Sequence, residues 1–124
     1  MIKFISGEKI YLRGIEESDV NETYLSWLND PEITKGLLSG IYPSTLTQLR
    51  TYVQGVIGSS NVVMFAICEQ ETGKHIGNIK LDNFDWISGT CELGVLIGDK
   101  SCWGKGIGKE TCQLVVEYAF HVLN

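Results

Sequence analysis

No run of apolar residues in the chain approaches the roughly 20 that a membrane-spanning helix needs. The opening stretch MIKFISGEKI is too short and too polar to serve as a secretory signal. Neither a membrane protein nor an exported one is expected, and the cytoplasm is the expected compartment. Basic residues are scarce as well: ten Lys and Arg stand against fifteen Asp and Glu, a net charge of −5. A non-specific nucleic-acid binder needs a basic footprint to neutralise phosphates, so no nucleic-acid partner is expected. The acidity suits a cationic partner such as an amine. The four cysteines, Cys68, Cys91, Cys102 and Cys112, form no C-x-x-C pair, and His75 and His121 are not at metal-ligand spacing. Neither a metal site nor a disulfide framework is expected.

What the chain does have is ordinary globular material: 124 residues, 44% hydrophobic and 20% charged. That is enough for one domain, residues 1–124, with a real core and no room for a second. KIYLRGI alternates Ile10 and Leu12 with Tyr11 and Arg13 and reads as a half-buried strand. In EESDVNETYLSWLND, Val20, Tyr24, Trp27 and Leu28 fall at helical spacing, with Ser18 or Asp19 as N-cap and Asp30-Pro31 as the stop. PEITKGLLSG reads as a short helix or an irregular segment from Pro31. A capping box from Thr45 to Gln48 opens a further helix bearing Leu46, Leu49, Val53, Val56 and Ile57.

VVMFAICEQ is then a near-continuous apolar strand, ETGK a turn, and HIGNIKLDNFD a second strand. Alternation puts Ile76, Asn78 and Lys80 on one of its faces and Gly77, Ile79 and Leu81 on the other. TCELGVLIG is a third strand, and a last helix carries Cys112, Val115, Tyr118, Ala119 and Val122 on one stripe. Hairpin-linked strands flanked by helices predict an α+β fold with a largely antiparallel central sheet rather than a doubly wound parallel one.

Between the third strand and the last helix lies IGDKSCWGKGIGKE, with four glycines and three lysines. A triphosphate-binding loop needs G-x-x-x-x-G-K-[ST]. From Gly98 to Gly104 the spacing is one residue too long, and Gly106 stands where the hydroxyl should be. A G-x-G-x-x-G reading from Gly104 meets Lys109 at the third small position. A backbone nest across Trp103-Gly104-Lys105-Gly106-Ile107-Gly108, closed by the positive end of a helix, does suit a pyrophosphate, with Lys100, Lys105 and Lys109 around it. A solvated Gly- and Lys-rich turn is the alternative on spacing alone. Cys102 has no His or Asp at hand in the loop and reads as a small filler, not a nucleophile.

The segment CELGVLIGDKSCWGKGIGKETCQLVVEYAF resembles the acetyl-coenzyme A signature of the GNAT superfamily of N-acetyltransferases. The family's loop runs Arg or Gln, two residues, Gly, one residue, Gly or Ala. Those places fall on Trp103, Gly106 and Gly108, so the first departs from the pattern. Trp-Gly-Lys-Gly is similar to the branch that contains ribosomal-protein, polyamine and amino-sugar acetyltransferases, and IYLRGIEESDVNETYLSWLNDPEI is similar to that branch's opening strand and helix.

The resemblance implies a GNAT-like fold and acetyl-coenzyme A as acetyl donor. It implies that Val95, Leu96 and Ile97 hold the pantetheine arm by main-chain bonds, and that Trp103, Gly104, Lys105, Gly106, Ile107, Gly108 and Lys109 hold the pyrophosphate. The acceptor would be a primary amine of a peptide or a small molecule: a protein N-terminus, a polyamine or an amino sugar. A base must take the amine's proton, and Glu92 is the only acid within TCELGVLIG. The N–H of Val95 or Leu96 would stabilise the oxyanion. Asp82 and Asp85 are weaker candidates for the base, and Tyr24, Trp27 and Phe84 could line a pocket or belong to the core.

Relatives in the family continue past the last helix with a strand, a helix whose Tyr protonates the departing thiolate, and a closing hairpin. No motif transfers that role to Tyr118. A fragment, a short form completed by dimerisation, and a degenerate copy each fit this, and self-association to a homo-oligomer is expected in all three. A coenzyme A-binding or dimerisation module without catalysis is the rival to the enzyme, and a protein-binding domain follows if no cofactor binds.

Overall fold

Among the described residues five strands pair in sequence order, each antiparallel to the one before it. The computed structural model describes residues 2–35 and 44–123. In chain order the elements are β1 (Ile5–Ser6), β2 (Ile10–Gly14), a 3-10 turn (Glu17–Asp19), α1 (Glu22–Leu28), α2 (Leu46–Ile57), β3 (Val63–Glu69), β4 (His75–Asp85), β5 (Thr90–Ile97), a second 3-10 turn (Lys100–Cys102), α3 (Ile107–Tyr118) and a wider final turn (Ala119–Leu123). The α+β fold and its antiparallel sheet are as the sequence predicts. The two-residue β1 carries no sequence signal of its own.

Helices cover both faces of the sheet, and this revises the reading of β2 as half-buried. Ile10 and Leu12 pack with Phe65, Ile67, Ile79 and Leu81 beneath Ile107 and Val115 of α3. Tyr11 packs on the other face with Ala66, Cys68 and Leu96 beneath Tyr24 and Trp27 of α1 and Leu49, Val53 and Val56 of α2. Arg13 on that second face is also buried, because Asp19 meets its guanidinium with two bonds of 2.8 and 2.7 Å. A buried cation is tolerated only when it is paired in this way.

Asp19 is thus occupied, and the N-cap of α1 is Asn21, whose side chain accepts the N–H of Tyr24 at 2.9 Å. Ser18 and Asp19, the predicted caps, lie one turn too early. The helix ends at Leu28, before Asp30-Pro31. The Thr45–Gln48 capping box forms as predicted and opens α2 at Leu46. Of PEITKGLLSG, residues 31–35 make turns and the remainder lies outside the described residues.

Two departures from simple periodicity follow from local irregularities. The register of β3 and β4 slips where Ile67 pairs with Gly77 but Cys68 pairs with His75. Ile76 is the extra residue of a β-bulge, which turns it to the α3 face with Ile79 and Leu81 rather than to the face of Asn78 and Lys80. His75 then shares the face of Asn78. At the C-terminal end, the last turn is of the wider i→i+5 kind. It carries Val122 out to solvent and brings Leu123 onto the core instead.

Candidate cofactor and active site

Among the described residues β5 is the edge strand, and the hydrogen-bond pattern decides which of its main-chain groups turn away from β4. Gly98 donates to the Ile76 carbonyl at 2.8 Å, and Leu96 and Gly94 pair with Asn78 and Lys80. In an antiparallel ladder the N–H and C=O of alternate residues face the same neighbour. Leu96 therefore spends its main chain on β4, whereas Val95 and Ile97 turn theirs to the open side. Of the two N–H groups named for an oxyanion, Val95's is the one that faces outward. The side chains alternate the other way: Leu96 is buried against α1 and α2, and Val95 and Ile97 pack towards α3.

After Ile97 the chain is drawn into a tight loop. Asp99 caps the second 3-10 turn through Ser101 and pairs with Lys74 at 2.8 Å. The Lys74 ammonium and the Ser101 hydroxyl hold the Asp99 carboxyl down at about 2. Cys102 is buried in the core below the loop, and burial pushes its thiol up, consistent with a filler. The Trp103 indole N–H reaches back to the Ile97 carbonyl at 3.0 Å. Trp103 thus clips the loop to the end of the strand, a structural use for the residue that replaces Arg or Gln.

Gly104 and Gly106 have φ of +79° and +78°, the left-handed region where glycine carries no Cβ penalty. A Cβ built on Gly104 or Gly108 meets nothing within 4 Å, so the cradle opens to solvent on that side. Gly106 is the N-cap of α3 and no side chain caps the helix there. Ile107 buries its side chain in the core, leaving its N–H at the helix mouth together with those of Gly108 and Lys109. Uncapped N–H groups, the positive end of α3 and room where side chains would stand fit an extended phosphate ester. Lys105 and Lys109 are exposed beside it.

Lys100, grouped with these two on sequence, points elsewhere and pairs with Asp30 at 2.9 Å and Glu32 at 3.3 Å. A lysine that sequence reading missed takes its place. The Lys9 ammonium, from the turn between β1 and β2, donates to the Lys105 carbonyl at 2.7 Å. Nothing local in the sequence announces this contact between residues 96 positions apart.

Glu92 lies five residues before Ile97, about 17 Å along β5. It shares a face with Gly94 and Leu96, as alternation predicts, and its carboxylate accepts from the Asn83 amide at 2.8 Å. Asp82 stands directly across from it and pairs with Lys80 at 3.2 Å. Asp85 is used in the β4–β5 turn, where it accepts from Ile87 and Ser88. Tyr24 and Trp27 are buried core residues, while Phe84 stacks on the exposed Trp86 at 5.1 Å. His75 lies beneath Tyr24 and Trp27 and bonds Asn78 at 2.7 Å. The Asn78 Nδ2 group is buried and has no partner among the described residues.

Comparison with known proteins gives this arrangement its family. Residues 9–124 match the model of the acetyltransferase (GNAT) domain. An uncharacterized N-acetyltransferase, p20, of Bacillus licheniformis is 32% identical over 123 residues, covering 94% of this chain and 66% of its own length. A crystal structure described as a probable acetyltransferase superposes with a TM-score of 0.81 at 26% identity, over 98% of this chain and 69% of that one. A spermidine N-acetyltransferase chimera, of Vibrio cholerae SpeG and hSSAT, has the same fold at a TM-score of 0.79 and 17% identity, over 94% of this chain and 66% of that one. The chain belongs to the GNAT acetyltransferase family. It spans just under two thirds of the length of the curated relative it matches.

Proposed function

We propose that the chain binds acetyl-coenzyme A along the outward edge of β5 and at the mouth of α3, and serves the transfer of an acetyl group to a primary amine. The observation that carries this reading is the uncapped N-terminus of α3 behind two left-handed glycines, set at the end of a strand with a free main-chain edge. Acetyl-coenzyme A supplies the activated acyl group. The main chain of Val95 and the N–H of Ile97, whose carbonyl Trp103 engages, hold its arm while the side chain of Leu96 keeps the strand seated on the α1 and α2 face. The N–H groups of residues 105–109, with Lys105 and Lys109, hold the pyrophosphate, and Trp103 fixes the strand-to-loop corner.

Glu92 takes the proton that the acceptor ammonium must lose before its nitrogen can attack. The Val95 N–H meets the carbonyl oxygen as that oxygen gains charge. The net charge of −5 favours a cationic acceptor. Structural neighbours described as spermidine N-acetyltransferases make a polyamine the first acceptor to test. A module that holds coenzyme A without transfer is the second reading, and it is favoured by the exposed position of Glu92 and its bond to Asn83.

Calorimetric titration with acetyl-coenzyme A, followed by thiol release with a panel of amines, separates the readings. Both require binding, and only the enzyme releases thiol in proportion to amine. Gly106→Val is expected to abolish binding, since a β-branched residue at φ +78° is strained. Undiminished binding by that variant, or no binding by the wild-type chain at millimolar ligand, would leave the solvated turn.

A further inference from the structure

Three glycines in five positions make the loop an unlikely source of a fixed shape, because glycine adopts either sign of φ at similar cost. The peptide between Lys105 and Gly106 is the most exposed to this freedom: rotating ψ of Lys105 against φ of Gly106 inverts it with little change elsewhere. Such an inversion would swap the direction of the Gly106 N–H, one of the groups assigned to the pyrophosphate under the proposed function. Something outside the loop must select one orientation.

We propose that Lys9 does so, as a positioning residue for the phosphate cradle that acts through the Lys105 carbonyl. The proposal rests on the coenzyme A reading above. Its ammonium donates to that carbonyl at 2.7 Å. Among the described residues this is the one side-chain bond to the main chain of residues 104–106. In a trans peptide the C=O and the following N–H point in opposite directions, and the chain contains no cis peptide among its described residues. Holding the Lys105 oxygen towards Lys9 therefore turns the Gly106 N–H away from it.

The lysine is itself held. Glu110, in the first turn of α3, accepts the main-chain N–H of Lys9 at 3.1 Å and that of Ile10 at 3.0 Å. Gly7 allows the approach, since a Cβ there would fall 2.8 Å from Leu114 and 2.9 Å from the Glu110 carboxylate. The anchor and the loop it steadies are thus fastened to the same helix, so the ammonium is delivered from a fixed base. A Cβ on Gly106 would stand 3.7 Å from the Lys9 ammonium, which places the charge beside the cradle as well as behind it.

The test uses the full chain, with Lys9→Met removing the donor and keeping the stem, Lys9→Arg restoring a cationic donor, and Lys9→Gln as a second neutral variant. Coenzyme A is titrated calorimetrically at low and high salt, pantetheine serves as the phosphate-free probe, and the Gly106 amide is followed by nitrogen-15 NMR in the free proteins. K9M and K9Q are expected to weaken coenzyme A about tenfold, the effect of a free loop that holds the bound orientation only about a tenth of the time. They should leave pantetheine and the melting temperature unchanged and broaden or move the Gly106 resonance; K9R should recover most of the affinity. The deficit should persist at high salt, where a diffuse charge effect is screened.

Wild-type affinity in K9M and K9Q, an equal loss for pantetheine, a deficit that vanishes with salt, or an unmoved Gly106 amide would each overturn the assignment. Failure of the wild-type chain to bind coenzyme A would instead sink the cofactor reading. In that case the Gly106 amide still decides whether Lys9 orients the loop.

Discussion

Gly98 lies against the Trp27 indole with no space between them for a methyl group. The contact sets the distance between α1 and the end of β5, and it seats the indole over His75, with ring centroids 5.1 Å apart. Gly98→Ala must push either the strand end or the indole, and overpacking of this kind costs about 1–3 kcal/mol. Gly94→Ala, within β5 and with nothing within 4 Å of the added Cβ, is expected to be neutral within about 0.5 kcal/mol. Thermal unfolding of the two variants side by side checks this, and equal melting temperatures would contradict the packing described.

The response to acid follows from the buried cluster of Arg13, Asp19 and His75. Burial alone would raise the Asp19 carboxyl, but the Arg13 bonds and the Glu16 N–H outweigh it and hold it below its usual range. Burial lowers the His75 imidazole, only partly offset by Asn78 and Asp19. A depressed carboxyl contributes stability that is complete above the unfolded value, about 3.9, and is lost as pH falls through the folded one. A depressed imidazole works in the same direction: below about pH 6.5 the unfolded chain takes up a proton that the folded one refuses. The melting temperature is therefore expected to fall in two stages, below about pH 6.5 and again below about pH 4. His75→Gln should flatten the first stage alone. Scanning calorimetry from neutral to acid pH reads both stages, and a rise in melting temperature on mild acidification would refute the assignment.

For Glu92 the expected outcome is a split between turnover and binding. Glu92→Gln keeps the bond from Asn83 and removes the proposed base, so on the acetyltransferase reading transfer to an amine should fall about 100-fold. Affinity for coenzyme A should stay unchanged, because the carboxylate lies far along β5 from the phosphate cradle. Steady-state rates with a polyamine, paired with calorimetry, measure the two. Retained turnover would move the base elsewhere, with Asp82 across the ladder next in line.

What the sequence made legible is what short-range chemistry dictates. The Thr45–Gln48 box, the hairpin around Gly73 and the glycines at 104 and 106 each specify local backbone, and each is found where predicted. The strand alternation placed Glu92 with Leu96 correctly. It misplaced Ile76 because a bulge shifts the phase by one residue and leaves no mark in composition. Asp19 reads as a cap, as Ser18 does, because a cap and an ion-pair partner look alike in a sequence. Only the fold shows that Arg13 claims it and that Asn21 caps the helix instead. Lys9 and Glu110 were missed for a deeper reason: their contacts join opposite ends of the chain, and no window of residues contains both.

Those same contacts govern when the cradle can come into being. The bonds from Glu110 to the Lys9 and Ile10 main chain close a loop of 101 and 100 residues. Contacts of such separation are among the slowest to form, since the entropy of closure precedes any return. A chain emerging from the ribosome does not have the proposed phosphate cradle in place until α3 has docked against the first hairpin, however early β3, β4 and β5 pair. On the proposed reading, ligand capture is thereby coupled to completed topology, and a ligand held there would resist the unfolding of the whole domain rather than of one loop.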